Sequence, residues 1–274
     1  MGVREYVLAT SAEGAASLAG EPGTVLMGGG TLLMPQATAG TLGAERVVGL
    51  HAAGLDYVRR NGVTAIGAMS PLATVATLDD LPALRSAARG VSGLALRNVA
   101  TLGGNLYAAA PYGDLAPVLL ALDATVRLVG PGGERTPALA DWLTEEGDRG
   151  REVLAEVVVP SPRGVTGHRR HARRAANSPA VASAAVRLVI EDGAVAEARV
   201  AIGAVAPRAL RAAAAEERLT GAPADAAAIA EASEAAAAAA SPVDDPVASA
   251  WYRRRMTAVS VRQALESALG SESR

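Results

Sequence analysis

Two glycine-rich strings carry the most chemistry in this sequence. They are Gly28-Gly29-Gly30-Thr31, directly after an apolar run, and Thr101-Leu102-Gly103-Gly104-Asn105. Glycine permits positive φ and leaves no Cβ between the backbone and an approaching ligand. Successive exposed N–H groups in such turns make a concave anion site. The second string adds a hydroxyl and an amide. Two loops of this kind could hold the two phosphates of a dinucleotide from both sides, although each alone also reads as a tight turn. Neither fits G-x-G-x-x-G or a phosphate loop ending in Gly-Lys, so a Rossmann or nucleotide-hydrolase site has no support. Asp114 offers an acceptor pair for sugar hydroxyls, and reads equally well as an N-cap for a helix starting at Leu115.

The rest of the inventory excludes more than it offers. All 26 basic residues are arginine, so a lysine Schiff base is impossible. There is no cysteine, which removes disulfides, thiolate nucleophiles, cysteine zinc sites and cysteine-ligated iron–sulfur clusters from this chain. His51, His168 and His171 show no helical metal-ligand spacing, and no metal site is expected. A net charge of -2 gives no global attraction to nucleic acid or anionic membrane. The N-terminus lacks a signal-peptide apolar stretch, and no run reaches the ~18 apolar residues of a membrane span. The chain reads as soluble and cytoplasmic.

The elements that must position the glycines follow from pattern. Half of the 274 residues are hydrophobic, enough for a sizeable core, and aromatic residues are only 3%, so that core is aliphatic and alanine-rich. Ser11–Ala19 reads as a capped helix ended by Gly20. Strands are expected over Thr24–Met27, Arg46–Leu50, Val63–Ile66 after an Asn61-Gly62 turn, Ala124–Val129 before Pro131-Gly132-Gly133, and Val153–Val159. Helices are expected over Pro71–Thr77, Leu81–Arg89 and Leu115–Leu122. Composition shifts beyond Ser161-Pro162. A basic cluster (Arg169, Arg170, Arg173, Arg174) precedes two strands, Ala184–Ile190 and Ala198–Ala204, joined at Asp192-Gly193. An alanine-rich helical stretch near 208–240 and a last helix near 248–268 close the chain. Strands and helices mix without regular alternation, which favours α+β, with a boundary near residue 160.

The longer strings resemble a known family. Gly28-Gly29-Gly30-Thr31-Leu32-Leu33-Met34-Pro35 resembles the first flavin loop of the molybdopterin-dehydrogenase FAD-binding family, which includes medium subunits of carbon monoxide and bacterial xanthine dehydrogenases. The run from Leu96 to Asn105, with Pro111 and Asp114, resembles its second loop. Arg174 to Ala180, Gly203 to Arg208 and Trp251-Tyr252-Arg253-Arg254 resemble later signatures. The resemblance implies a two-part FAD-binding domain of the vanillyl-alcohol-oxidase type over 1–160, with parts at about 1–58 and 59–160. A smaller α+β domain over 161–274 follows. It implies non-covalent FAD contacted by Met27, Gly28, Gly29, Gly30, Thr31, Leu32 and Leu33, and by Leu96, Ala100, Thr101, Gly103, Gly104 and Asn105. The backbone of Gly28–Thr31 and Thr101–Asn105 would take the pyrophosphate, and Asp114 a sugar or ribityl hydroxyl. Arg170 falls where many members have a lysine near the flavin ring. Gly28 stands where the family usually has alanine, and Leu32 where a polar residue is common.

The function so implied is electron transfer from a partner's iron–sulfur clusters, through FAD, to NAD or another acceptor. The [2Fe-2S] clusters would sit on a small subunit and molybdopterin on a large one. No catalytic acid–base residue is expected in this chain, since a relay needs none. The alternative is a stand-alone FAD-dependent oxidase or dehydrogenase of a small metabolite, with Tyr107, Tyr112 or His168 as a general base.

Overall fold

The computed structural model describes residues 2–146, 149–161, 163–175 and 177–272; Pro162 and Ala176 of the strings quoted above lie outside them. In chain order the elements are β1 (Glu5–Leu8), α1 (Ala12–Ala19), β2 (Thr24–Met27), α2 (Leu33–Thr38), β3 (Arg46–Gly49), β4 (Val58–Arg60) and β5 (Val63–Gly67). Then come α3 (Leu72–Val75), α4 (Pro82–Gly90), α5 (Leu94–Arg97), α6 (Leu102–Tyr107), α7 (Ala116–Ala121), β6 (Thr125–Gly130), β7 (Gly133–Arg135), α8 (Leu139–Thr144) and β8 (Val153–Pro160). The last are β9 (Val165–Ala172), β10 (Ala180–Glu191), β11 (Ala194–Gly203), β12 (Leu210–Arg211), α9 (Ala213–Leu219), α10 (Ala226–Ala238) and α11 (Ala250–Glu272). The mixture of helix and strand matches the expected α+β character.

The chain divides into two compact units. One comprises Met1–Val75, Leu94–Ala108 and Ala124–Pro160; the other comprises Ala76–Gly93, Ala109–Asp123 and Ser161–Arg274. The first unit holds a parallel three-stranded sheet, β1-β3-β2, and an antiparallel five-stranded sheet, β4-β5-β8-β6-β7. Ser11 caps α1 by accepting the Gly14 N–H at 3.0 Å. Ala12, Ala15, Ala16 and Ala19 then bury one face at the helical i, i+3, i+4, i+7 spacing. That face joins Val48, Leu50, Met69, Val129, Val153 and Ala155 in a core built from small and branched aliphatic side chains.

In the second unit the antiparallel sheet β12-β11-β10-β9 carries helices on both faces. Ala182, Ala184, Val186 and Leu188 of β10, at the period of two, pack with Ile229, Ala232, Val261, Ala264 and Leu265 of α10 and α11. Arg187, of the opposite parity, donates to the Ala121 carbonyl at the end of α7. A strand buried on both sides reads as a mostly apolar run, as β10 does, with Ser183 and Arg187 its buried polar members. At Gly167 the Ala264 carbonyl comes so near that a Cβ would lie 2.0 Å from its oxygen.

Several elements differ from expectation. The helix read at Pro71–Thr77 shrinks to the single turn α3, which follows a bridge between Pro71 and Thr101 that uses the Leu72 and Leu102 amides. The alanine-rich stretch near 208–240 is a short strand and two helices, broken where Asp225 caps α10 by accepting the Ala227 and Ala228 amides. Arg169 and Arg170 belong to a strand, β9; Arg169 is exposed while Arg170 turns inward.

Candidate functional site

The first glycine string follows β2 directly. Leu50 N–H holds the Met27 carbonyl at 3.0 Å, and the chain turns through Gly30, at φ +69°, into α2, where Met34 N–H reaches the Gly30 carbonyl at 2.8 Å. Only glycine adopts that φ without strain. From Gly28 through Leu33 the backbone N–H groups find no acceptor among the described residues, and no side chain caps α2. These residues are half-buried, with Leu32 exposed. A run of uncommitted, accessible amides is a donor set for an anion.

The second string is built differently. Leu102 N–H donates to the Ser70 carbonyl (3.0 Å), Gly103 to Ala68 (2.8 Å) and Asn105 to Thr101 (3.0 Å). Gly104 N–H donates to Thr101 Oγ1 at 3.1 Å, so Thr101 is the N-cap of α6. The amides of residues 102–105 are therefore committed within the protein. What this string offers outward is Gly104 itself, which is exposed, together with the half-buried Asn105. Upstream, Ala100 is buried, with its N–H on the Leu96 carbonyl and its own carbonyl on Leu72 N–H; Leu96 is exposed.

The two strings lock together. A Cβ on Gly29 would lie 1.8 Å from the Val99 oxygen, and one on Gly28 would lie 2.7 Å from Thr101 Oγ1. A Cβ on Gly103 would lie 2.9 Å from the Ala68 Cβ. Three of the glycines are thus required by the close approach of the chain to itself. Gly104 is not: its Cβ would meet only Thr101 Oγ1, at 3.0 Å. The contact at Gly28 also accounts for glycine where the resembling family has alanine, since a methyl there would displace the Thr101 cap. Val99, Ala68 and Ser70, which fix these loops through backbone carbonyls, carry no sequence signal.

In the second unit the structure brings Asp114 and Arg170 together. Asp114 follows Gly113, at φ +86°, and is buried; α7 begins from Leu115 with no side-chain cap, so the N-cap alternative falls away. Arg170 Nε donates to Asp114 Oδ1 at 3.0 Å, and Arg170 Nη2 to the Ser178 carbonyl at 2.6 Å. Burial pushes the Asp114 carboxyl above its ordinary value, and the Arg170 charge opposes that rise. Asp114 Oδ2 has no protein donor among the described residues.

The other singled-out residues have local duties. Tyr107 donates to the Glu152 carbonyl at 2.8 Å and meets Trp142 edge-on. Tyr112 is exposed. His168 Nδ1 lies 3.3 Å from Ser86 Oγ, and its Nε2 is buried with no partner among the described residues. Burial, with the charges of Arg170 and Arg169, pushes His168 down to about 4, so the ring is neutral at pH 7. His51 approaches the Tyr6 hydroxyl at 3.4 Å and His171 the Tyr252 hydroxyl at 3.1 Å. Among the described residues no group of three or more histidine or acidic side chains could hold a metal ion, and no helix is long and apolar enough to cross a membrane.

Residues 2–162 match the family described as the FAD binding domain in molybdopterin dehydrogenase, and residues 168–268 match the CO dehydrogenase flavoprotein C-terminal domain. The carbon monoxide dehydrogenase medium chain of Hydrogenophaga pseudoflava is 30% identical over 96% of each chain. The glyceraldehyde dehydrogenase medium chain of Sulfolobus acidocaldarius is 26% identical over 95% of this chain and 96% of its own. A solved structure of carbon monoxide dehydrogenase from Hydrogenophaga pseudoflava superimposes with a TM-score of 0.91, at 28% identity over 98% of both chains. This chain belongs to the molybdopterin-dehydrogenase FAD-binding family and is the flavin-binding subunit of an oxidoreductase.

Proposed function

We propose that this chain is the FAD-binding electron-transfer subunit of a cytoplasmic molybdenum hydroxylase. Its FAD lies between an iron–sulfur small subunit that delivers electrons and NAD or another acceptor that removes them. A molybdopterin large subunit would carry out the substrate oxidation. The dinucleotide-binding part is residues 1–160, in two pieces of the vanillyl-alcohol-oxidase type at about 1–58 and 59–160, followed by 161–274. One observation carries the reading: the uncommitted amides of Gly28–Leu33, set against the second string by contacts that exclude any side chain at Gly29.

The residues present fit the cofactor. The first loop supplies neutral backbone donors for the pyrophosphate. Gly104 and Asn105 supply a surface that a dinucleotide can approach closely, with Thr101 fixing its shape. Met27, Leu32, Leu33, Leu96 and Ala100 flank the two strings, and Asp114 accepts a sugar or ribityl hydroxyl. FAD, when bound, supplies the redox chemistry; the protein positions it and sets its electrostatic surroundings. Titration of the apoprotein tests the assignment. FAD should bind tightly and FMN weakly, because FMN lacks the second phosphate. Equal affinity for FMN and FAD would remove the pyrophosphate from the first loop.

A further inference from the structure

Arg170 occupies a position from which the resemblance led us to expect contact with a flavin ring. Its surroundings point to another task. Its side chain is about nine-tenths buried, as is that of Asp114. It is held from two directions, by Asp114 Oδ1 at 3.0 Å and by the Ser178 carbonyl at 2.6 Å. Its stem lies against Gly90 of α4, where an added Cβ would come 3.3 Å from Arg170 Cδ. A guanidinium fixed this way at Nε and Nη2 cannot swing to a ligand without abandoning a buried carboxylate. A buried carboxylate with one oxygen bonded and the other open has, in turn, one remaining acceptor of fixed direction.

We propose that Arg170 is a positioning residue, which grips Asp114 Oδ1 so that Oδ2 stays charged and aimed as the acceptor for a ligand hydroxyl. The ligand named here rests on the FAD-binding reading; the grip itself does not. Without Arg170 nothing offsets the burial that favours the neutral carboxyl. A neutral carboxyl is a weaker acceptor than the ion.

The charged and titratable groups on the neighbouring elements do not substitute for it. On α4, Arg85 pairs with Asp79 and Arg89 donates to the Ala76 carbonyl. On β9, Arg169 is exposed, His171 meets Tyr252, and His168 is held neutral. Arg187 of β10, Glu197 and Arg199 of β11 and Arg211 of β12 converge with Asp123, after α7, in an ion-pair network of their own. Glu191 pairs with Arg163. Arg170 is also one of the charges that, after burial, lower His168, so the test includes a background without Asp114.

The experiment measures FAD affinity across about pH 6 to 9 for wild type, Arg170→Gln, Arg170→Lys, Asp114→Asn and the Arg170→Gln/Asp114→Asn double variant. Wild type should vary little. Arg170→Gln should bind about tenfold more weakly at the acid end and recover towards wild type at the alkaline end, the size expected for one charge-assisted hydrogen bond. Arg170→Lys should restore the flat profile, and the double variant should match Asp114→Asn at every pH. An equal loss at every pH for Arg170→Gln, repeated in the Asp114→Asn background, would show that Arg170 touches the ligand itself and overturn the proposal. So would an unchanged Arg170→Gln. If wild type failed to bind FAD, the cofactor reading would fall. The carboxyl titration of Asp114, followed by carbon-13 NMR in unliganded wild type and Arg170→Gln, would then decide the grip: a higher midpoint in the variant supports it, and an unchanged midpoint overturns it.

Discussion

At the scale of single residues, the glycines separate into two kinds. Gly29 sits where a Cβ would collide with the Val99 backbone, which no rotamer change can relieve. Gly29→Ala should therefore lower the urea-unfolding free energy of the apoprotein by about 2 kcal/mol or more, and weaken FAD binding as the loops separate. Gly104 is exposed within α6, and its methyl would meet only the Thr101 hydroxyl. Gly104→Ala should leave stability within about 1 kcal/mol of wild type, since the helix gains what the contact loses, yet weaken FAD by about tenfold or more by blocking close approach. Gly104→Val should weaken it further, and Leu32→Ser should not weaken it, because Leu32 is exposed and a hydroxyl there adds a polar partner. Titrating apo forms of the four variants checks all of this. Wild-type affinity in Gly104→Ala would take the second string out of the site. The sequence marked these glycines as room for a ligand, whereas at Gly28, Gly29 and Gly103 the missing Cβ makes room for the chain itself. A Gly-Gly pair cannot disclose whether its missing Cβ makes room for a ligand or for a carbonyl seventy residues away.

At the scale of elements, the second unit depends on a buried arginine and on a histidine kept neutral. Arg253 of α11 is buried and donates to the carbonyls of Ala180, Val181 and Ala204, and to Asp245 Oδ2 at 2.7 Å. It ties the start of β10 and the end of β11 to the last helix. Arg253→Met should cost about 3 kcal/mol or more, because it leaves the carbonyls of Ala180, Val181 and Ala204 without their donor and breaks the ion pair to the half-buried Asp245. The fall in urea midpoint measures it. His168, between α4 and the sheet, acts through pH. Its folded value of about 4 lies below the unfolded imidazole value. Its contribution is therefore fully present above the unfolded value and is lost as pH falls towards about 4. His168→Gln should remove a few kcal/mol of the stability difference between neutral and mildly acidic pH. An unchanged pH dependence would contradict a buried neutral ring. Long periodic elements such as β10, β11 and α11 were legible in the sequence, as were Ser11 and Asn61-Gly62, whose signals are local. The short helices α2, α5 and α6 were not, because four to six residues carry less than two turns of pattern. Nor was the partner of Asp114, which lies 56 residues along the chain and pairs through a strand read only as a basic cluster.

At the scale of the whole molecule, the missing residues say as much as those present. A molybdenum-type oxidation needs a metal centre at the substrate and a relay of clusters, and clusters are held by cysteine thiolates. This chain has no cysteine. Co-expression with a cysteine-rich iron–sulfur partner should give a complex stable on size exclusion. The chain alone should not turn over small organic substrates at enzyme-like rates, on the order of 1 s⁻¹. Such turnover would favour a stand-alone flavoenzyme on the same scaffold. The central claim is tested most directly by the flavin content of the purified chain after acid precipitation. The account predicts about one intact FAD per chain in the supernatant and a colourless pellet, the outcome of a cofactor held without a covalent bond. Flavin left on the denatured polypeptide, FMN in place of FAD, or no flavin even after reconstitution would contradict it.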